Sequence, residues 1–269
     1  MSAPDSSREI DPHQSASNAQ DSAVAAPSTC IALYARRTPG HDQRVRHALQ
    51  MLRSAADRHA GRIVQASSLG VEGMVITDLI ARHALPVLIS TLDTGTLHAQ
   101  TLALIQRTEV RYGIRIDRFG PHPEAVARFV NARGPLAMRE SVESRRACCA
   151  LRKLEPMQRL LAGHDAWITG LRREQSENRS DVPFHEKDGD GRDKYYPLAD
   201  WSLADVWHYV HVHEVPYNPL HDAHYPSIGC QPCTRPVAPG EDFRSGRWWW
   251  ESGTTRECGL HSRPQTVRA

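Results

Sequence analysis

The stretch Arg62-Ile-Val-Gln-Ala-Ser-Ser-Leu-Gly-Val-Glu-Gly-Met74 decides the fold. Its apolar opening predicts a short strand over residues 62–66, and the Ser and Gly residues then predict a turn into a helix over 74–83. A Ser/Gly turn between strand and helix aims backbone N–H groups at an anion. An ordinary βα loop has the same composition, so both readings stay open. The stretch matches neither a Walker A loop nor G-x-G-x-x-G.

Working outward, Val45, Ala48, Leu49, Leu52 and Ala56 recur at helical spacing over 41–60, and Gly61 stops the run. Downstream, Pro86-Val-Leu-Ile-Ser-Thr91 is apolar enough for a buried parallel strand. It ends in Leu92-Asp-Thr-Gly95, before a helix over 96–112 and a strand over 114–118. This alternation predicts an α/β fold with a doubly wound, mainly parallel sheet. Ligands of such sheets sit outside the carboxyl ends of the strands, where both turns fall.

Helices are expected over 124–131 and 147–162, and a fourth strand over 166–170. That strand runs into Leu171-Arg-Arg-Glu-Gln-Ser-Glu-Asn-Arg179. Arg172, Arg173 and Arg179 suit a phosphate clamp, because guanidinium binds phosphate in a bidentate fork; a solvated polar loop is the alternative. Residues 186–194, rich in Gly and Asp, read as a mobile excursion. Ser202-Leu-Ala-Asp205 reads as a variant capping box opening a helix to about residue 214. His208, His211, His213 and His221 fall in or near that helix, where exposed histidines are commoner than metal ligands.

Five of the six cysteines carry the chemistry. Cys148 and Cys149 are adjacent, Cys230 and Cys233 form a C-x-x-C, Cys258 sits in Glu257-Cys-Gly-Leu-His261, and Cys30 stands alone. Two tight pairs supply a soft ligand set for one tetrahedral or cubane metal site. The remaining Cys258, beside a His, suits a nucleophile. Adjacent cysteines bridge poorly, which argues against disulfides. Zinc would use the same thiolates, although Cys-Cys departs from its usual spacing. Successive helical residues point about 100° apart, so two neighbouring thiolates on one cluster require a distorted helix turn. Arg145, Arg146, Arg152 and Lys153 would offset thiolate charge. In Arg244-Ser-Gly-Arg-Trp-Trp-Trp250, the tryptophans would anchor a tail or stack on nucleic-acid bases.

The totals narrow the class. With 269 residues and a net charge of +2, no global field demands nucleic acid or an anionic membrane. No apolar run approaches the roughly 20 residues of a membrane span, and the first residues lack the basic start and apolar stretch of a signal peptide. A cytoplasmic location, with reduced thiols, is expected. Residues 1–29 are polar and read as a disordered leader.

Taken together, the motifs resemble the iron–sulfur type of assimilatory adenylyl-sulfate (APS) reductase, in the PAPS/APS reductase family. The resemblance rests on Ser67-Ser-Leu-Gly70, Leu92-Asp-Thr-Gly95, Cys148-Cys149 with Lys153, Gly170-Leu-Arg-Arg173, the segment around Cys230 and Cys233, and Glu257-Cys-Gly-Leu-His261. It implies an adenine nucleotide α-hydrolase-like fold: a catalytic domain over 30–240 and a tail over 241–269 carrying the reactive cysteine. It further implies a [4Fe-4S] cluster on Cys148, Cys149, Cys230 and Cys233. Cys258 would attack the sulfur of APS, release AMP and carry an S-sulfo group that thioredoxin, or a glutaredoxin-like reductant, removes as sulfite. Lys153, Arg244, Arg247 and His261 match the sulfate end, and Ser67, Leu69, Gly70, Leu92, Thr94, Gly170 and Arg179 match nucleotide contacts. A homo-oligomer is expected, without nucleic-acid or membrane partners.

Family members often carry Asp in place of Gly73 and Arg in place of Thr96. An Asp there would cap the helix, which Gly does poorly. Two rivals remain: an ATP pyrophosphatase acting on tRNA, whose Ser-Gly-Gly-x-Asp-Ser loop is absent here, and a metal-bearing nucleic-acid module built on the Trp/Arg tail.

Overall fold

Strand β1 (Ile63–Ser67) runs parallel to β2 (Leu88–Leu92) on one side and to β4 (Ala166–Ile168) on the other in this computed structural model. The structure describes residues 29–238 and 240–251. All but the last residue of the expected leader, and both Cys258 and His261, lie outside the described residues. Strand β3 (Asp117–Phe119) pairs with β2, β6 (Asp193–Tyr195) pairs with β4, and β5 (His185–Lys187) closes the edge antiparallel to β6. The order β3-β2-β1-β4-β6-β5 means the chain leaves β1 in one direction and later returns to its other side. The reversal falls between β1 and β4, the place where such sheets bind ligands. The expected mainly parallel α/β sheet is present.

Both faces of β1 are apolar and covered. Ile63 joins the larger core with α2 (His41–Arg58), α3 (Val71–Arg82), α4 (Ala99–Tyr112) and α8 (Leu203–His213). Val64, its neighbour, points the other way by strand alternation. It packs with Trp167 against Met157, Leu160 and Leu161 of α7 (Glu155–Leu161). Helix α2 buries Ala48, Leu52, Ala55 and Ala56 as one stripe. Ser202 and Asp205 cap α8 reciprocally, as the sequence predicts. Cys30, seemingly isolated in sequence, is buried at the start of a short helix, α1 (Cys30–Tyr34).

Several expectations need correction. Helix α3 starts at Val71 because Gly70 takes the extended N-cap conformation. Helix α4 starts only at Ala99, since Leu97 is held in a β-bridge with Cys230. Strand β3 takes only the end of the expected 114–118 and runs one residue past it, with Ile116 buried in the core before the pairing begins. Residues 186–194 form most of the β5–β6 hairpin rather than a mobile excursion. There the Asp188 carboxylate accepts from the N–H groups of Asp190 and Arg192 at 2.9 Å and from the Trp167 indole at 3.0 Å.

The helix expected over 147–162 divides into α6 (Val142–Cys149), a π-helical turn (Ala150–Leu154) and α7. Pro156, just beyond the wide turn, has no N–H to donate. The wide turn begins just after the cysteine pair, both members of which lie in α6. Helix α5 (Pro123–Arg133) precedes it and has no buried residue.

Candidate active site

At the end of β1, the Ser67 hydroxyl accepts the Leu69 N–H at 3.2 Å, and Leu69 adopts a left-handed φ of 57°. This folds the chain back so that α3 starts against a cavity of about 220 Å³ lined by Ser67, Ser68 and Gly70. The positive end of the α3 dipole and its N–H groups favour an anion there. Leu69 turns its side chain into the core, 1% exposed, and does not line the cavity. Leu92 and Thr94, from the end of β2, form part of the wall, as does Gly170 after β4. Gly170 is tight: a Cβ there would approach Glu72 Cβ to 3.0 Å and the Gly73 nitrogen to 3.2 Å.

Lys153, Arg179, Arg244 and Arg247 also line the cavity. The three-arginine clamp does not form. Arg172 is 2% exposed and pairs with Glu72 and Glu174, each at 3.0 Å. Arg173 donates to the Val182 carbonyl and stacks over Phe184. Only Arg179, held by Gln175 at 2.7 Å, reaches the cavity. Burial opposes the Glu72 charge, but Arg172 and Gln175 outweigh it and hold the carboxyl below its usual range. Gly73 is the third helical residue rather than a cap, and a Cβ there would sit 2.9 Å from Ser67 Oγ. The absence of a side chain therefore matches a close approach of α3 to the turn.

The four paired cysteines converge in a second, small pocket with Thr96, Arg145, Arg152 and Lys153. All four are buried and free, as is Cys30, so no disulfide joins the described cysteines. The Gln231 N–H donates to the Thr96 carbonyl at 2.8 Å, which ties the C-x-x-C to the turn after β2. Burial raises the Cys148 thiol despite Arg152, and pushes Cys233 up to about 12. Burial also works against the Cys230 thiolate, yet Lys153, the Thr94 and Thr96 hydroxyls and Arg247 together pull Cys230 below its usual value. Thr94 Oγ1 lies 3.2 Å from Cys230 Sγ. Among the described residues, no three His, Cys, Asp or Glu side chains close on a point suited to a single metal ion.

The tail root packs against this pocket. Trp248 is 1% exposed, and Arg145 and Arg247 each stack 4.7 Å from its ring centre. The Trp248 backbone N–H donates to the Cys233 carbonyl at 3.2 Å, and buried Arg145 pairs with buried Glu251. Trp248 is thus an anchor. Lys153, Cys230 and Trp248 line both pockets. His221, which the sequence grouped with the exposed helix histidines, is 4% exposed and lines the larger cavity. Its position just before the segment leading to Cys230 was the available signal.

A nucleotide-sized cavity at the switch point of a mainly parallel sheet defines the class as an adenine nucleotide α-hydrolase-like α/β protein. Yeast FAD synthetase shares that fold, with a TM-score of 0.52 at 15% identity over 75% of this chain and 70% of its own. Residues 62–236 match the family described as phosphoadenosine phosphosulfate reductase domain, and the chain belongs to it. It is 53% identical over 217 residues to the adenosine 5'-phosphosulfate reductase of Allochromatium vinosum, covering 80% of this chain and 84% of that one. It is 56% identical over 198 residues to the protein of the same name from Neisseria meningitidis serogroup A, covering 73% and 81%. The crystal structure of phosphoadenylyl-sulfate (PAPS) reductase from Candida auris, a phosphate complex, matches with a TM-score of 0.60 at 28% identity, covering 71% of this chain and 92% of that one. No helix among the described residues is long and apolar enough to cross a membrane.

Proposed function

We propose that the chain reduces APS to sulfite and AMP in assimilatory sulfate reduction. The observation that carries this reading is the shared wall: Lys153 and Cys230 face both the nucleotide cavity and the thiol pocket. Adenine and ribose occupy the cavity. The phosphate meets the α3 N-terminus, and the sulfate points toward Lys153, Arg244 and Arg247. Ser67, Gly70, Leu92, Thr94, Gly170 and Arg179 form the rest of the nucleotide site, with Leu69 shaping the turn from behind.

Cys258 acts as nucleophile, with His261 beside it at the sulfate end. Its thiolate attacks the APS sulfur; an S–S bond forms, the S–O bond breaks, and the electron pair leaves with AMP. A thioredoxin thiolate then attacks Cys258 Sγ and expels sulfite. The second thioredoxin thiol resolves the mixed disulfide and restores the Cys258 thiol. Thioredoxin leaves oxidised, and the sulfate sulfur has gained two electrons.

Cys148, Cys149, Cys230 and Cys233 fit a [4Fe-4S] cluster. Each iron of a cubane takes one thiolate, so the sulfurs surround a volume instead of closing on a point. The pocket offers four buried sulfurs, the cations Arg145, Arg152 and Lys153, and the Thr94 and Thr96 hydroxyls. When bound, the cluster supplies a fixed charge distribution beside the sulfate, while the electrons come from thiols. The reaction suits a reducing cytoplasm, and the chain is expected to work as a homo-oligomer.

Full-length chain purified anaerobically and supplied with thioredoxin should release sulfite from APS and far less from PAPS. Sulfite from neither substrate would overturn the reading.

A further inference from the structure

The cavity has two unlike sides. Met157, Leu160 and Trp167 belong to the smaller core on the α7 face of the sheet and give one side an apolar slot suited to a flat purine. His221 approaches from the opposite face, its ring edge against Trp207 of α8 at 5.4 Å between centroids.

The orientation of this histidine is over-determined. Its Nδ1 lies 2.9 Å from the Tyr225 carbonyl. A carbonyl only accepts, so Nδ1 carries the hydrogen. The His221 backbone carbonyl accepts from Cys30 Sγ at 3.2 Å, and the next residue, Asp222, accepts the Cys30 N–H at 2.7 Å and the Tyr217 hydroxyl at 2.8 Å. Burial pushes the ring's pKa down from its usual value and so favours the neutral form. A neutral ring with hydrogen on Nδ1 has a bare lone pair on Nε2. That atom is buried and has no hydrogen-bond partner among the described residues.

An acceptor left bare on a side chain that lines a ligand cavity calls for a donor on the ligand, because an unpaired buried polar atom is costly. On an adenylyl sulfate, the phosphosulfate offers no donor at neutral pH. The adenine amine belongs with the purine, on the far side. We infer that His221 Nε2 accepts a hydrogen bond from a ribose hydroxyl of the bound nucleotide, making His221 a specificity-determining residue for the sugar. The inference rests on the proposed nucleotide reading of the cavity. It also bears on substrate choice, since a neutral acceptor has nothing to offer a phosphate group placed at the same hydroxyl.

The test is equilibrium binding of AMP, 2'-deoxy-AMP and 3'-deoxy-AMP to the full-length protein and to His221→Phe and His221→Gln. Removing the recognised hydroxyl should weaken binding to wild type roughly tenfold, the scale of leaving a buried acceptor unpaired. In His221→Phe, AMP should fall to that level with no further loss for the same deoxy analogue, whereas His221→Gln, whose amide oxygen can replace Nε2, should restore part of the discrimination. The 2' and 3' arms identify the hydroxyl. If wild type binds AMP and both deoxy analogues equally, or His221→Phe keeps the full penalty, the assignment to His221 fails while the nucleotide site stands. If AMP does not bind wild type at all, both fall.

Discussion

The nucleotide cavity and the thiol pocket share a wall but are made in opposite ways. The cavity is largely backbone: turns after β1, β2 and β4, brought together where the strand order reverses, with Gly70 and Gly170 allowing close approach. Arg172, buried behind the cavity, is already matched by Glu72. The thiol pocket is side chain and loop: a π turn, a C-x-x-C and the tail root, joined by single hydrogen bonds. Its thiols are pushed apart, with Cys148 and Cys233 raised and Cys230 lowered. The difference teaches that the first region is shaped by turns at the sheet's switch point, whereas the second gathers four buried thiols among cations.

The largest effect expected is on chemistry alone. Cys258→Ser should lower sulfite formation by roughly a thousandfold or more, the scale of losing a covalent nucleophile. The brown cluster absorbance and AMP affinity should both survive; bleaching of that mutant would show that the division between the regions is wrong. Next, Cys233→Ser should lose the chromophore and most activity together. AMP binding should stay within about threefold, because Cys233 itself does not line the cavity. A collapse of AMP affinity would mean that the two regions fold as one.

Gly170→Ala should act in the reverse direction. Its added Cβ presses on Glu72 and Gly73, costing about 1–3 kcal/mol by overpacking. AMP should bind several-fold more weakly while the iron content is unchanged, and calorimetry with iron analysis would read both.

The smallest effect concerns acid stability. Folding lowers the Glu72 pKa from its ordinary 4.5. The group therefore adds stability that is fully present above that pH and is lost as pH falls through the lower, folded value. Glu72→Gln should flatten the acid limb of the denaturation midpoint below pH 5; an unchanged limb would refute the pairing with Arg172.

Much of this was legible in the sequence because the physics was local. The strand–turn–helix at Ser67 and the strand ending at Leu92 show their period and their turn residues within a few positions. The gathering of four cysteines into one pocket was legible from spacing. What was hidden depended on distant partners. Nothing near Arg172 reveals that Glu72 neutralises it, and only its place just before the segment leading to Cys230 separates buried His221 from exposed His211. The β5–β6 hairpin is a different case: Asp188-Gly-Asp-Gly191 carries a turn signal that the overall polarity of the segment masked.

The burial of Glu251 against Arg145 sets a radius. Six residues lie between it and Cys258, seven Cα-to-Cα steps and so a leash of no more than roughly 25 Å when fully drawn out. Under the proposed chemistry, the sulfur must meet both its substrate and its reductant inside that sphere. A redox partner therefore has to come to the rim of this cavity, and lengthening the leash should dilute the local concentration of the sulfur at the sulfate.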